Sequence, residues 1–260
     1  MAPATVTALG IVAAMAACGA AQTNALPPAS NDHGIFTLRV NNEPHGSENF
    51  TIVKRGSQIH VGYQSKLDMG GANGSEQSRG DMVYASNWQP LTGTITARNN
   101  LESRTVKLGG QPLALSTQTM PGGMVGTITS KRPPDISLAD DSVVQFTAFC
   151  AIQRTGLLQV FPAVKAVVTE QAHQHNLRRY AIDLEGKGVV RALCVGAQLV
   201  GIEETTHNFS AMRVGAEAQV AAILALPPTT TAGTPPTTPT PLPLAPPPTG
   251  QTPPATPSTP

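Results

Sequence analysis

From Gly34 to about Arg132 the chain is cut into short runs of alternating apolar and polar residues, with a turn signal every ~8–12 residues. A chain punctuated this way has no room for the long crossover helices that parallel strands need, so its sheet must be antiparallel. Ile35 to Val40 alternates and Asn41 to Pro44 turns. Glu48 to Val53 alternates and Lys54 to Ser57 turns. Gln58 to Lys66 puts Ile59, Val61 and Tyr63 on one face. Asp68 to Gly80 is glycine-rich and polar, and reads as a loop. Met82–Trp88, Leu91–Ala97, Arg104–Leu108 and Leu113–Thr117 continue the meander.

The pattern changes after Lys131-Arg132-Pro133-Pro134. Asp141 to Arg154 places Val144, Ala148, Ala151 and Ile152 at helical spacing, with Asp140 or Asp141 as the N-cap and Gly156 as the stop; Val143, Val144 and Phe146 would suit a strand equally well, and helix is the expectation. Strands then return over Leu157–Glu170, broken at Pro162, and over Arg178–Leu184, Val189–Val195 and Gln198–Glu204. Ala211 to Leu226 closes the region as a short helix or strand. The expected fold is mostly β, in the α+β class: a curved antiparallel sheet or half-barrel wrapped around one or two short helices.

The ends have different compositions. Residues Thr5 to Ala21 are small and apolar, and 1–21 reads as a signal peptide although no Lys or Arg precedes the apolar run. Met15-Ala16-Ala17-Cys18 resembles a bacterial lipobox, which makes Cys18 the candidate for lipidation. Ordinary cleavage near Ala21 is the alternative. Residues 22–33 then form a tether, 34–226 the β-rich domain, and 227–260 a tail. In that tail 14 of 34 residues are Pro and 11 are Thr, with no charge. Such a segment favours extended polyproline II and builds no core.

Charge and motifs narrow the function classes. There are 17 Lys and Arg against 16 Asp and Glu. This balance removes the electrostatic case for a nucleic-acid partner. Cys150 and Cys194 lie in apolar strings. They either form a disulfide, which an extracytoplasmic location permits, or lie buried as small apolar residues. His173-Gln174-His175, near Glu170, is the best metal candidate by spacing, but it also suits a polar loop, and no metal or other cofactor is expected. Asp183 and Glu185 would share a strand face, a minimum for acid–base chemistry, beside a hairpin turn that suits a solvated face better. No Gly-x-Ser-x-Gly elbow or Ser-x-x-Lys motif is present. Arg79-Gly80-Asp81 and the sequons at Asn49, Asn73 and Asn208 carry no assignment.

Gly46-x-Glu48-x-Phe50-x-Ile52, Leu138-Ala139-Asp140-Asp141-Ser142-Val143 and Gly196 to Glu203 together resemble the periplasmic lipoprotein-carrier-like proteins and their relatives in the bacterial envelope. The resemblance spans about Gly34 to Val214. It implies a curved sheet around a helix with an apolar concavity, which in the carriers holds acyl chains.

The leading reading is a non-catalytic envelope or secreted protein that binds a hydrophobic or amphipathic small molecule or lipid. Phe36, Phe50, Ile52, Ile59, Val61, Tyr63 and Phe146 would line the groove, and the same residues serve equally as plain core. The alternative is a structural or surface-interaction protein with the Pro/Thr segment as spacer. A hydrolase built on the scattered carboxylates is the third. If Cys18 is lipidated, a membrane anchor follows. The prediction is that a fatty-acid probe labels the wild type and not Cys18→Ser. An unmodified N-terminus near Gln22 would show simple signal cleavage instead.

Overall fold

Apolar residues at every second position put one side of each strand against the interior. In the computed structural model, which describes residues 31–68, 74–139, 142–162 and 164–229, these strands form one large, open, curved sheet. Eight strands make the first meander: β1 (Asp32–Val40), β2 (Glu43–Arg55), β3 (Gln58–Asp68), β4 (Ser75–Ala85), β5 (Pro90–Arg98), β6 (Ser103–Gly109), β7 (Ala114–Met120) and β8 (Met124–Thr129). A two-residue strand follows, β9 (Ile136–Ser137), then a 3-10 helix (Val143–Phe146) running into α1 (Thr147–Ile152). The second meander is β10 (Gly156–Phe161), β11 (Val164–Gln174), β12 (Leu177–Leu184), β13 (Gly188–Val195), β14 (Gln198–Glu204) and β15 (Phe209–Arg213), with α2 (Glu217–Leu224) at its end.

The order across the 15 strands is β8-β7-β6-β5-β4-β3-β2-β1-β15-β14-β13-β12-β11-β10-β9. The first and last strands, β1 and β15, therefore pair at the middle. A bidentate ion pair reinforces this join: Arg213 donates to both Asp32 oxygens at 2.9 and 2.7 Å, and its guanidinium lies 5.3 Å from the centre of the Phe50 ring. All pairings are antiparallel except β9 with β10.

The two edge strands, β8 and β9, are consecutive in the chain. Ser130 still donates to Leu113 beside β7, whereas Asp135 already donates to Gln159 on β10. Five residue steps separate them, a reach of at most roughly 18 Å. The sheet must therefore curl until its edges nearly meet. Register shifts at Leu38/Arg39, Val83/Tyr84, Glu170/Ala172 and Leu193/Cys194 supply local bends.

The concavity is filled by the helical segment. Every residue from Val143 to Ala151 is buried, the polar Gln145 and Thr147 included, and the Gln145 side-chain oxygen accepts from the Ala139 N–H at 2.8 Å. Cys150 is bonded to Cys194 of β13, with Cα atoms 5.6 Å apart, so the helix is covalently fixed to the sheet. On the other face, α2 covers Leu193 and Val200 in a small separate cluster, and Arg179 donates to the Leu224 carbonyl at its end.

Several boundaries differ from the sequence reading. β3 runs to Asp68 and β4 starts at Ser75, so most of the supposed Asp68–Gly80 loop is strand. Trp88 leaves β4 for the turn, with φ 66°, and packs on Tyr84. β8 was not anticipated: it follows the Pro121-Gly122-Gly123 turn and is interrupted by Gly126. The break at Pro162 is a hairpin between β10 and β11. The helix ends at Gln153, left-handed at φ 48°, rather than at Gly156. Its N-cap is Ser142, which makes no side-chain cap bond, and the two aspartates expected there lie outside the described residues, as do Cys18, the signal segment and the tail beyond Thr229.

The disulfide closes a long loop, and removing it is predicted to cost about 2–4 kcal/mol. In denaturant unfolding, the double variant Cys150→Ser/Cys194→Ser should have a lower midpoint than the oxidised wild type. Coincident curves would remove the bridge from the account.

Candidate ligand-binding cleft

The helix does not fill the whole concavity. Along β3 the inward positions read Ile59, Val61 and Tyr63, all buried, then Ser65 and Leu67, which are half-buried. Along β4 they read Tyr84, Met82 and Gly80, then Ser78 and Glu76. On β6 they read Leu108 and Val106, then Arg104. The change falls at one level of the sheet, where Glu48, Ser65, Ser78, Ala97, Arg104 and Thr119 stand side by side in register. At that end lies a cleft of about 740 Å³, within the ~300–1,000 Å³ common for small-molecule sites.

Its apolar surface comes from Leu38 and Leu67 on one side and from Leu184, Val190 and Ile202 on the other. Leu138, Val143 and Phe146, from the chain entering the helix, lie between them in sequence and complete the lining. Charged groups of both signs border it: Glu76 and Arg104 on the first meander, and Lys187 and His207 in turns of the second with Glu204 at the end of β14. His207 Nδ1 lies 2.6 Å from Glu204 Oε1.

Glu48 joins the cleft to the core. It is buried, yet it comes from the middle of a β-strand. Its Oε2 accepts from the Val143 N–H at 3.1 Å and its Oε1 from the Val144 N–H at 2.7 Å. The first N–H groups of a helix have no partner within the helix, and here a carboxylate nearly a hundred residues away receives them. Charge-assisted bonds of this kind are among the stronger ones.

Of the seven residues expected to line a groove, only Phe146 borders the cleft. Phe36, Phe50, Ile52, Ile59, Val61 and Tyr63 are buried in the main core beneath it. Phe36 and Phe50 stack with ring centres 5.0 Å apart. Tyr63 lies over Gly80, where a Cβ would stand 2.1 Å from the ring, so the pair forms a closed floor. The face was read correctly, but these residues sit at the level where the sheet is already packed.

The other candidates fall elsewhere. His173 is next to last in β11 and His175 is in the following turn at φ 56°, so the two do not share a strand face, and His173 Nε2 is hydrogen-bonded to the His175 carbonyl. Among the described residues no three His, Cys, Asp or Glu side chains converge as a metal site requires. Asp183 is exposed on β12 and Glu185 lies in the turn after it. Arg79 and Asp81 are exposed on the outer face of β4. At the opposite end of β12, Glu170, Arg178 and Tyr180 form a polar group, with Arg178 donating to the phenol at 3.2 Å. Burial pushes the Tyr180 phenol above its usual pKa, and the Arg178 hydrogen bond works against this.

Arg104, Ser78 and Lys187 were missed as site residues. For Ser78 and Arg104 a signal was present, since a polar residue at an inward position of an otherwise apolar strand marks unfilled space, whereas Lys187 lies in a turn and carries no such mark. No protein-family model, curated protein or solved structure matches this chain. Among the described residues no helix is long and apolar enough to cross a membrane.

The cap from Glu48 yields a prediction. Glu48→Ala leaves two buried N–H groups without their acceptor and should destabilise the domain by about 2–4 kcal/mol, with Glu48→Gln losing less. Hydrogen exchange at Val143 and Val144 should accelerate in the alanine variant. An unfolding midpoint equal to that of the wild type would refute the role.

Proposed function

We propose that this chain is an exported, non-catalytic protein that holds a hydrophobic or amphipathic ligand in the cleft between the two meanders. One observation carries the reading: a cleft with apolar walls and a charged border lies beside a helix fixed to the sheet. An acyl chain or similar apolar group would lie against Leu38, Leu67, Val143, Phe146 and Ile202, with its polar end at the border. The reading gains support from the curved sheet around a helix, the arrangement that the resemblance to lipoprotein carriers implied. His207 and Glu204 form the closest acid–imidazole pair at the cleft, and no hydroxyl or thiol is bonded to that imidazole among the described residues. This favours binding over nucleophilic turnover.

Export has two supports. One is the small-residue apolar run before Cys18. The other is the Cys150–Cys194 bridge, which suits an oxidising compartment such as the periplasm or the exterior. Lipidation of Cys18 would hold the domain at the membrane by a short tether.

Delipidated protein is to be incubated with fatty acids and phospholipids and examined by native mass spectrometry. The expected result is one retained lipid per chain, lost in Ser78→Trp, whose indole would occupy the cleft, at an unchanged melting temperature. Failure of the wild type to retain any lipid would sink the proposal.

A further inference from the structure

Three arginines face the interior of the sheet: Arg104 on β6, Arg178 on β12 and Arg213 on β15. Their registers set the face. Arg104 opposes the buried Ala97, Arg178 opposes the buried Cys194, and Arg213 opposes the buried Phe36. A cation held on such a face costs free energy unless an anion accompanies it. Two of the three have one. Arg213 is bidentate to Asp32, and Arg178 lies 3.5 Å from Glu170. Arg104 has no hydrogen bond or ion pair among the described residues, although it is half-buried. It borders the cleft instead.

Its neighbours on that level are hydroxyls. Thr119 opposes it directly on β7, and Ser78 and Ser65 continue the row beyond Ala97. Lys187 adds a second cation from the turn on the other side of the cleft, also without an acidic partner among the described residues. The acids at the cleft are mostly engaged: Glu48 by the helix N–H groups and Glu204 by His207. Glu76 is the exception.

We propose that Arg104 receives the anionic head of an amphiphile, a carboxylate or phosphate, whose apolar chain occupies the cleft. The ligand supplies the counter-charge that Asp32 and Glu170 supply to the other two arginines. The planar guanidinium offers paired donors to such a group, and the flanking hydroxyls offer further ones. This assignment rests on the binding role proposed for the cleft and adds the class of head that it selects.

The test compares dodecanoate, dodecanol, dodecyltrimethylammonium and acetate by isothermal titration on the folded wild type, Arg104→Gln and Arg104→Lys. These ligands share either the chain or the head, so the source of affinity separates. Wild type should bind dodecanoate roughly ten- to a hundredfold more tightly than dodecanol. That gap should collapse in Arg104→Gln and be partly kept in Arg104→Lys, with melting temperatures unchanged. Acetate alone should bind far more weakly than dodecanoate. Equal affinities for dodecanoate and dodecanol, a gap that survives Arg104→Gln, or preference for the ammonium compound would overturn the assignment while leaving the cleft as an apolar binding site. Binding of none of the chain-bearing ligands would overturn the cleft reading and this one with it.

Discussion

A helix placed inside a curved sheet brings its unsatisfied N–H groups into a region that water does not reach, and buried N–H groups are almost always paired. Glu48 resolves this. Its carboxylate, on the inward face of β2, takes the N–H groups of Val143 and Val144. Without that acceptor the segment could enter the concavity only with unmet donors. With it, the chain leaves β9, passes through the interior and returns to the neighbouring β10, and the sheet curves round this connection. The Cys150–Cys194 bond fixes the other end of the same segment. Between these points every side chain is buried, so the helix has a single position relative to both meanders.

This explains why the cleft lies where it does. The helical segment begins at Glu48's level, and the inward face is packed from there towards Tyr63, Val61 and Ile59. Beyond that level no helix is present to fill the concavity, and the inward residues become serines, an arginine and a glutamate. The residues that remain apolar there, Leu38, Leu67 and Ile202, line unfilled volume.

Much of the fold was legible because a strand with one buried face has a period of two. Ile59-x-Val61-x-Tyr63 could hardly be read otherwise. The same rule states which face a residue occupies and nothing about its level along the strand, which depends on register with neighbours. That is why six of the expected groove residues proved to be core. Boundaries failed for a related reason: β3 and β4 extend past their apolar positions because the extensions line a cleft, and a polar strand looks like a loop. The pairing of β1 with β15 was not legible either. It joins residues about 175 positions apart, as at Leu38 and Ala211, and no local pattern encodes such a partner. Glu48 stood in the quoted Gly46-to-Ile52 motif, but a lone acid at an inward position has no distinctive signature until the helix meets it.

An open sheet of this size also has to protect its edges, which otherwise present unpaired backbone groups to other chains. The chain uses different devices at the two ends. β9 is only two residues long and follows Pro133-Pro134, which cannot donate to a ladder. β8 is longer, with Val125 and Ile128 exposed, and its protection is positional. The short link from Ser130 to Asp135 keeps the opposite edge close by, so an incoming strand meets the curled second meander rather than open solvent. The same link limits how far the sheet can uncurl. Its length therefore sets the separation of the two meanders as well as guarding the seam. The cleft lies at the other end of the strands, at the level of Arg104 and Thr119, where the helical segment and not this link stands between the two meanders.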